Sequence, residues 1–187
     1  MVENGIEGDY VALQSYYIQK IINYVDSLNM STVVWEKVFT NGVTLPKSTV
    51  VHVWKSTNPK TTLNQVTEAG HPAILSSYWY LDQLNTGGDW LKFYNADPHD
   101  FPGTDEQKSL VIGGEACMWS EVVDDNNLES RIWPRASIAA EKFWSPPDSI
   151  KTEMEELWPI ATRLQEQTCR MNRRGIKAQP PTGPSVC

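Results

Sequence analysis

Residues 113–121 read Gly-Gly-Glu-Ala-Cys-Met-Trp-Ser-Glu, directly after the apolar run Ser109-Leu-Val-Ile. Two carboxylates, a thiol and an indole therefore lie within nine residues. A thiol nucleophile needs a base, most often histidine. None of His52, His71 or His99 lies in a motif that would supply one. Cys117 is thus expected to be a buried, reduced packing residue. The three His and three Cys show no metal-ligand spacing, so neither a metal nor a cofactor is expected. What remains is acid beside aromatic. An indole offers a flat apolar face to the C–H face of a sugar ring, and carboxylates hold hydroxyl groups. The same pairing recurs along the chain at Trp35, at Trp54 and in the run Tyr78-Trp-Tyr-Leu-Asp82. The plainer alternative is that these tryptophans fill a core, which would account for about half of the eight present.

The elements that must position these residues follow from periodicity. Tyr10–Leu28 predicts a helix with a wide apolar stripe of Leu13, Tyr17, Ile21 and Leu28 together with Ile18, Ile22 and Val25. Ser31–Phe39, Thr49–Trp54, Pro72–Ser77 and Lys108–Gly114 predict four strands. A short helix over Thr61–Gly70 separates the second and third strands, with Thr61 or Thr62 as its cap and Gly70 as its stop. A helix opens at Trp133-Pro134, where proline is tolerated. The last helix runs from about Ile150 to Arg174 and stops at Gly175.

Short apolar strands separated by crossovers imply a parallel sheet. Three of the four strands end in or near a tryptophan. The strand C-termini are where a (β/α)8 barrel carries its chemistry, and such a barrel needs eight strands and roughly 250 residues. The 187 residues therefore read as an α/β fold, about half a TIM barrel, with its inner face and both sheet edges open. Within the nine-residue motif, Trp119 and Glu121 are two apart and face the same side if the extended path continues. Glu115 lies deeper and is expected to need a cationic partner. Arg135 is the candidate, because an arginine at a helix N-terminus opposes the dipole; pairing with Glu141 or solvent is the alternative.

Composition bounds the rest. The chain is 40% hydrophobic and 21% charged, with net charge −7, which is ordinary globular chemistry and a poor match to nucleic acid or an anionic membrane. No apolar run approaches the length needed to span a bilayer. The N-terminal residues do not read as a signal peptide. Cys169 and Cys187 bracket a Gly/Pro-rich tail. A bridge there would tie residues 169–187 back to a helix; three free thiols are the alternative. Asn29-Met-Ser is a glycosylation sequon.

Five segments in this order, Val33-Val-Trp-Glu-Lys-Val-Phe39, Val50-Val-His-Val-Trp-Lys55, Ile74–Asp82, Ile112–Glu121 and Arg131–Trp144, resemble the catalytic domain of the family 20 β-N-acetylhexosaminidases of the animal lysosomal or secreted kind. The similarity covers essentially the whole chain. It implies a (β/α)8 barrel of which this chain supplies strands five to eight plus the closing helices, as one partial catalytic domain. The family's adjacent Asp-Glu pair ends the fourth strand, and no such pair precedes Ser15-Tyr-Tyr-Ile-Gln-Lys-Ile21. The resemblance therefore implies a C-terminal fragment, inactive alone, of an exo-acting enzyme that removes terminal β-linked GlcNAc or GalNAc.

In this family the substrate's own 2-acetamido oxygen attacks the anomeric carbon. By resemblance, Trp35 and Trp54 wall the acetamido group and Trp119 lies under the pyranose ring. Tyr80 donates its hydroxyl to the acetamido oxygen, and Glu121 accepts from the 4-OH or 6-OH. Asp82 acts near the 6-position, where an acid repels a 6-sulfate. Neutral substrates are therefore expected, although Gln83 matches neither pattern of the family at that place. Dimers, homo- or heteromeric, and a lysosomal or secreted location are also implied. The rival reading from the residues is a non-catalytic sugar-binding module that keeps the tryptophan wall and Glu121 without an acid.

Overall fold

The computed structural model describes residues 5–55, 57–83, 88–146, 154–184 and 187. Its elements in chain order are α1 (Tyr10–Ser27), β1 (Val33–Trp35), α2 (Glu36–Thr40), β2 (Val50–Val53), α3 (Pro59–Glu68), β3 (Ala73–Leu75), α4 (Trp90–Asn95), α5 (Asp105–Ser109), β4 (Val111–Gly114), α6 (Leu128–Ile132), α7 (Arg135–Trp144) and α8 (Met154–Arg173). They form two compact units, one of Met1–Ser77 with Pro98–Gly113 and the other of Tyr78–Asp97 with Gly114–Cys187.

The first unit is built on a sheet of order β1-β2-β3-β4. β1 with β2 and β2 with β3 pair in parallel, as the sequence implies. β4 continues the sheet beside β3, where the Ala73 N–H donates to the Leu110 carbonyl at 2.9 Å. The strands are shorter than periodicity predicts. The expected strand over Ser31–Phe39 keeps only Val33–Trp35, because Glu36 turns at once into α2. The N-terminal part of the expected fourth strand is α5, started by a capping box in which Thr104 and Gln107 satisfy each other's backbone N–H. α3 starts at Pro59 with Asn58 as its cap, earlier than Thr61 or Thr62, since a proline at the first helical position needs no acceptor for its nitrogen.

Alternation divides the sheet into two faces. Val51, Val53, Ala73 and Leu75 are fully buried together with Leu63 and Val66 of α3. Trp35, His52 and Ile74 are neighbours in register on the opposite face. That face is open toward its edge, where Val33 is 65% and Trp35 46% exposed. The apolar stripe of α1 is narrower than its sequence suggests. Ile22 is buried and Ile18 and Val25 are partly so, whereas Tyr17, Ile21 and Leu28 are exposed. Asp9 caps the helix by accepting from the Ala12 N–H. Asn29 follows it in the left-handed conformation that ends many helices. Asn29 is exposed.

The second unit contains α4, α6, α7 and α8. Trp79 is fully buried there, its indole N–H donating to the Phe93 carbonyl at 3.0 Å and its ring edge-on to Phe143. The last helix is described from Met154; the expected start near Ile150 lies outside the described residues. Cys169 and Cys187 form the disulfide, with Cα atoms 5.2 Å apart. The tail it closes is also held by backbone bonds from Gln179 to the Trp133 carbonyl and from Lys177 to the Glu129 carboxylate. A loop of this length carries about 3 kcal/mol of closure entropy. Cys187→Ser is expected to lower unfolding stability by at most that amount, read by urea titration. Helix-tail packing should survive, so protease cleavage beyond Gly175 is expected to rise only modestly. Among the described residues, no helix is long and apolar enough to cross a membrane.

Candidate functional site

The residues singled out in the sequence fall into both units. In the first, register brings Trp35 and His52 side by side, and their rings stack at 4.6 Å with an 18° interplanar angle. Trp54 lies edge-on to Trp35 at 5.9 Å and 78°. These two tryptophans, 19 apart in sequence, therefore form one aromatic corner at the C-terminal ends of β1 and β2. The Trp54 indole nitrogen is buried and has no hydrogen-bond partner among the described residues. A buried donor left this way is either a cost or a place for a ligand's acceptor.

Glu36 holds this corner in shape. It is 4% exposed, and its carboxylate accepts from the backbone N–H groups of Trp54 at 3.1 Å and Lys55 at 3.2 Å. The end of β2 is thereby pinned to the start of α2. Periodicity could not find this, because Glu36 reads as strand interior in the sequence. Glu36→Ala is expected to strand two part-buried donors and cost about 1–3 kcal/mol, measured by chemical denaturation. A loss below about 0.5 kcal/mol would mean that water replaces the carboxylate at no cost.

In the second unit, Cys117 forms an isolated parallel bridge with Tyr80. Its N–H donates to the Trp79 carbonyl at 2.9 Å, and its carbonyl accepts from Leu81 at 2.7 Å. The nine-residue motif is thus zipped to the Tyr78–Asp82 segment through Cys117. Cys117 itself lies outside the disulfide and is half-buried, not the fully buried residue expected. Its role is backbone pairing, and its sulfur lies 3.6 Å from a Glu115 oxygen. Asp82 keeps one buried carboxylate oxygen without a hydrogen-bond partner among the described residues. Trp119 is 47% exposed, and Glu121 is exposed as well. The chain bends over Ser120–Val122, so strand alternation does not carry from Trp119 to Glu121.

The expected Glu115–Arg135 pair does not form. Glu115 is exposed. Arg135 is buried and pairs with Asp89, its Nε 3.1 Å from one carboxylate oxygen and a terminal nitrogen 2.5 Å from the other. Its remaining terminal nitrogen donates to the carbonyls of Leu81 at 2.6 Å and Arg131 at 3.0 Å. The guanidinium also lies over the Phe93 ring. This explains a cation at the N-terminus of α7: the helix dipole is outweighed by a bidentate carboxylate and two carbonyls. Glu141, the alternative partner, binds Arg163.

One adjacent Asp-Glu pair does occur, Asp105-Glu106. It lies in the exposed first turn of α5, which leads into the N-terminal end of β4, opposite to the end that continues into the motif. A hydrogen bond from the Thr104 side chain holds the Glu106 carboxyl below the ordinary carboxylate range. Both carboxylates sit where the N-terminus of a helix favours negative charge, so the pair is accounted for by the helix it begins.

The model of glycosyl hydrolase family 20, catalytic domain, matches residues 1–147. The chain is 48% identical to beta-hexosaminidase subunit beta of Rattus norvegicus over 180 residues, which is 96% of this chain and 33% of the relative. It is 44% identical to the Homo sapiens subunit beta over 96% of this chain and 32% of that protein. Against the Rattus norvegicus subunit alpha it is 42% identical over 92% of this chain and 32% of the relative. The chain thus spans about a third of the length of these relatives. A solved Streptomyces plicatus beta-hexosaminidase with product GlcNAc superposes with a TM-score of 0.75 at 21% identity, over 94% of this chain and 38% of that one. The Flavobacterium johnsoniae chitobiase gives 0.74 at 23%, over 93% and 26%. These two likenesses establish the fold. With the matched family model and the sequence identities, they lead to one statement: the chain belongs to glycosyl hydrolase family 20.

Proposed function

We propose that this chain supplies the sugar-binding residues of an exo-acting β-N-acetylhexosaminidase, working on terminal β-linked GlcNAc or GalNAc by substrate-assisted catalysis. The observation that carries the reading is the aromatic corner of Trp35 and Trp54 at the strand ends in a chain that belongs to family 20. Trp35 and Trp54 confine the acetamido group so that its oxygen is held in attacking pose, an advantage of proximity and orientation. Tyr80 donates to that oxygen as charge develops. Trp119 stacks on the pyranose ring, and Glu121 accepts from its distal hydroxyls with charge-assisted bonds worth about 1.5–3 kcal/mol each. Asp82 disfavours a 6-sulfate by like charge.

The proton donor is not assigned to these residues, since the one Asp-Glu pair lies in the exposed first turn of α5, at the N-terminal end of β4. The acid is therefore contributed by polypeptide beyond residues 1–187, and the sheet is the C-terminal half of a barrel. The exposed edge residues, Val33 at 65% and Ile112 at 60%, support that reading: they are where further strands would pair. Relatives described as subunits alpha and beta favour assembly into dimers. The Cys169–Cys187 disulfide and the exposed Asn29 sequon favour an oxidising, lysosomal or secreted setting.

The test is an aryl N-acetylglucosaminide assay on residues 1–187 and on a chimera in which they replace the matching third of the rat subunit beta. No turnover from the first and clear turnover from the second is expected. Turnover by residues 1–187 at the chimera's rate would overturn the placement of the acid, and an inactive but folded chimera would overturn the enzyme reading.

A further inference from the structure

We infer that His52 is a positioning residue for Trp35, setting the plane of the indole that the proposed sugar site presents; the inference rests on that reading for its purpose and on the sheet's geometry for its substance. His52 is the middle of β2, in register with Trp35 on one side and Ile74 on the other. Its ring lies against the Trp35 indole at 4.6 Å and 18°. Its Nε2 and the Ser76 Oγ share a hydrogen bond of 2.7 Å. Ser76 is itself fixed, because its N–H donates to the Val53 carbonyl at 3.0 Å, and its side chain is fully buried.

The geometry makes a relay of orientation from the turn after β3 through β2 to β1. An imidazole nitrogen hydrogen-bonds in the plane of its ring. A tether to a fixed oxygen therefore fixes that plane, and the stack transfers it to the indole. An aliphatic residue would fill the same space without an in-plane anchor. Trp35 needs such support because it sits on an edge strand and is 46% exposed. With one indole face on His52 and the Trp54 ring at a steep 78° to it, the exposed remainder is what a sugar ring or acetamido methyl would meet. His52 is 7% exposed, so it acts through Trp35 and not as an acid, base or nucleophile on substrate.

The test reads the indole N–H resonances of the 187-residue chain, with Trp35 and Trp54 assigned from Trp35→Phe and Trp54→Phe. In His52→Ala, the Trp35 signal is expected to shift and broaden, followed by that of Trp54, while the other six tryptophans keep their positions. Ser76→Ala is expected to move Trp35 the same way by less, and His52→Phe, which keeps a ring but loses the tether, to fall between. Ser76→Ala also decides the matter if His52→Ala fails to fold. A Trp35 signal unchanged in folded His52→Ala or, failing that, in Ser76→Ala overturns the inference. Free N-acetylglucosamine is then titrated against the same signals. Wild type is expected to respond, and His52→Ala to require about three- to tenfold more sugar, the range an aromatic pair commands. If sugar moves neither signal in wild type while the dependence of Trp35 on His52 persists, the positioning role stands and the sugar-site reading falls.

Discussion

Arg135→Met is expected to cost about 3–5 kcal/mol of unfolding stability, the largest single effect in the second unit. The substitution leaves the Asp89 carboxylate buried without its cation and frees the Leu81 carbonyl from its 2.6 Å donor. The double variant Arg135→Met with Asp89→Leu is expected to recover most of the loss, because a buried ion pair is costly chiefly when halved. Arg135→Lys is expected to recover little, since an ammonium cannot span both carboxylate oxygens and two carbonyls as the planar fork does. Urea titration followed by near-ultraviolet circular dichroism separates these cases. A loss below about 1 kcal/mol for Arg135→Met would mean that the pair is solvated in solution.

Tyr80→Phe carries the largest expected effect on turnover. In the rat chimera it is expected to lower kcat about 10²–10³-fold with little change in KM, the signature of a donor used mainly as charge develops. A fall in affinity at constant kcat would instead assign Tyr80 to ground-state binding. The two predictions are linked through the backbone. Leu81 donates to Cys117, which bridges Tyr80, and its carbonyl is held by Arg135. Arg135 thereby fixes the segment that presents Tyr80. Under conditions where the variant remains folded, Arg135→Met should also reduce turnover in the chimera.

Much of this chain was legible without coordinates. The parallel sheet and the helix at Arg135–Trp144 follow from periodicity and proline placement, and the Cys169–Cys187 bridge is the one of two open readings that the structure forms. Family membership was legible in the ordered motifs from Val33 to Trp144. The position of Trp35 and Trp54 at strand ends was also legible. Several expectations failed for local reasons. Strand lengths were overestimated because β-branched residues continue past Trp35 although α2 begins there. The α1 stripe was overread because an apolar side chain does not reveal whether anything covers it. The alternation of Trp119 and Glu121 was overextended across the bend at Ser120–Val122.

By itself, then, the sequence determined the kinds of element, their order and the residue types at the strand ends, since helical period, strand alternation and capping depend on near neighbours along the chain. The tertiary structure alone decided the partners: Arg135 with Asp89 and not Glu115, Glu36 with the turn at Trp54, and His52 between Trp35 and Ser76. Those pairings join residues 17 to 46 positions apart. They follow from strand register and from where a buried charge finds the most complete shell of hydrogen bonds, which residue spacing does not encode.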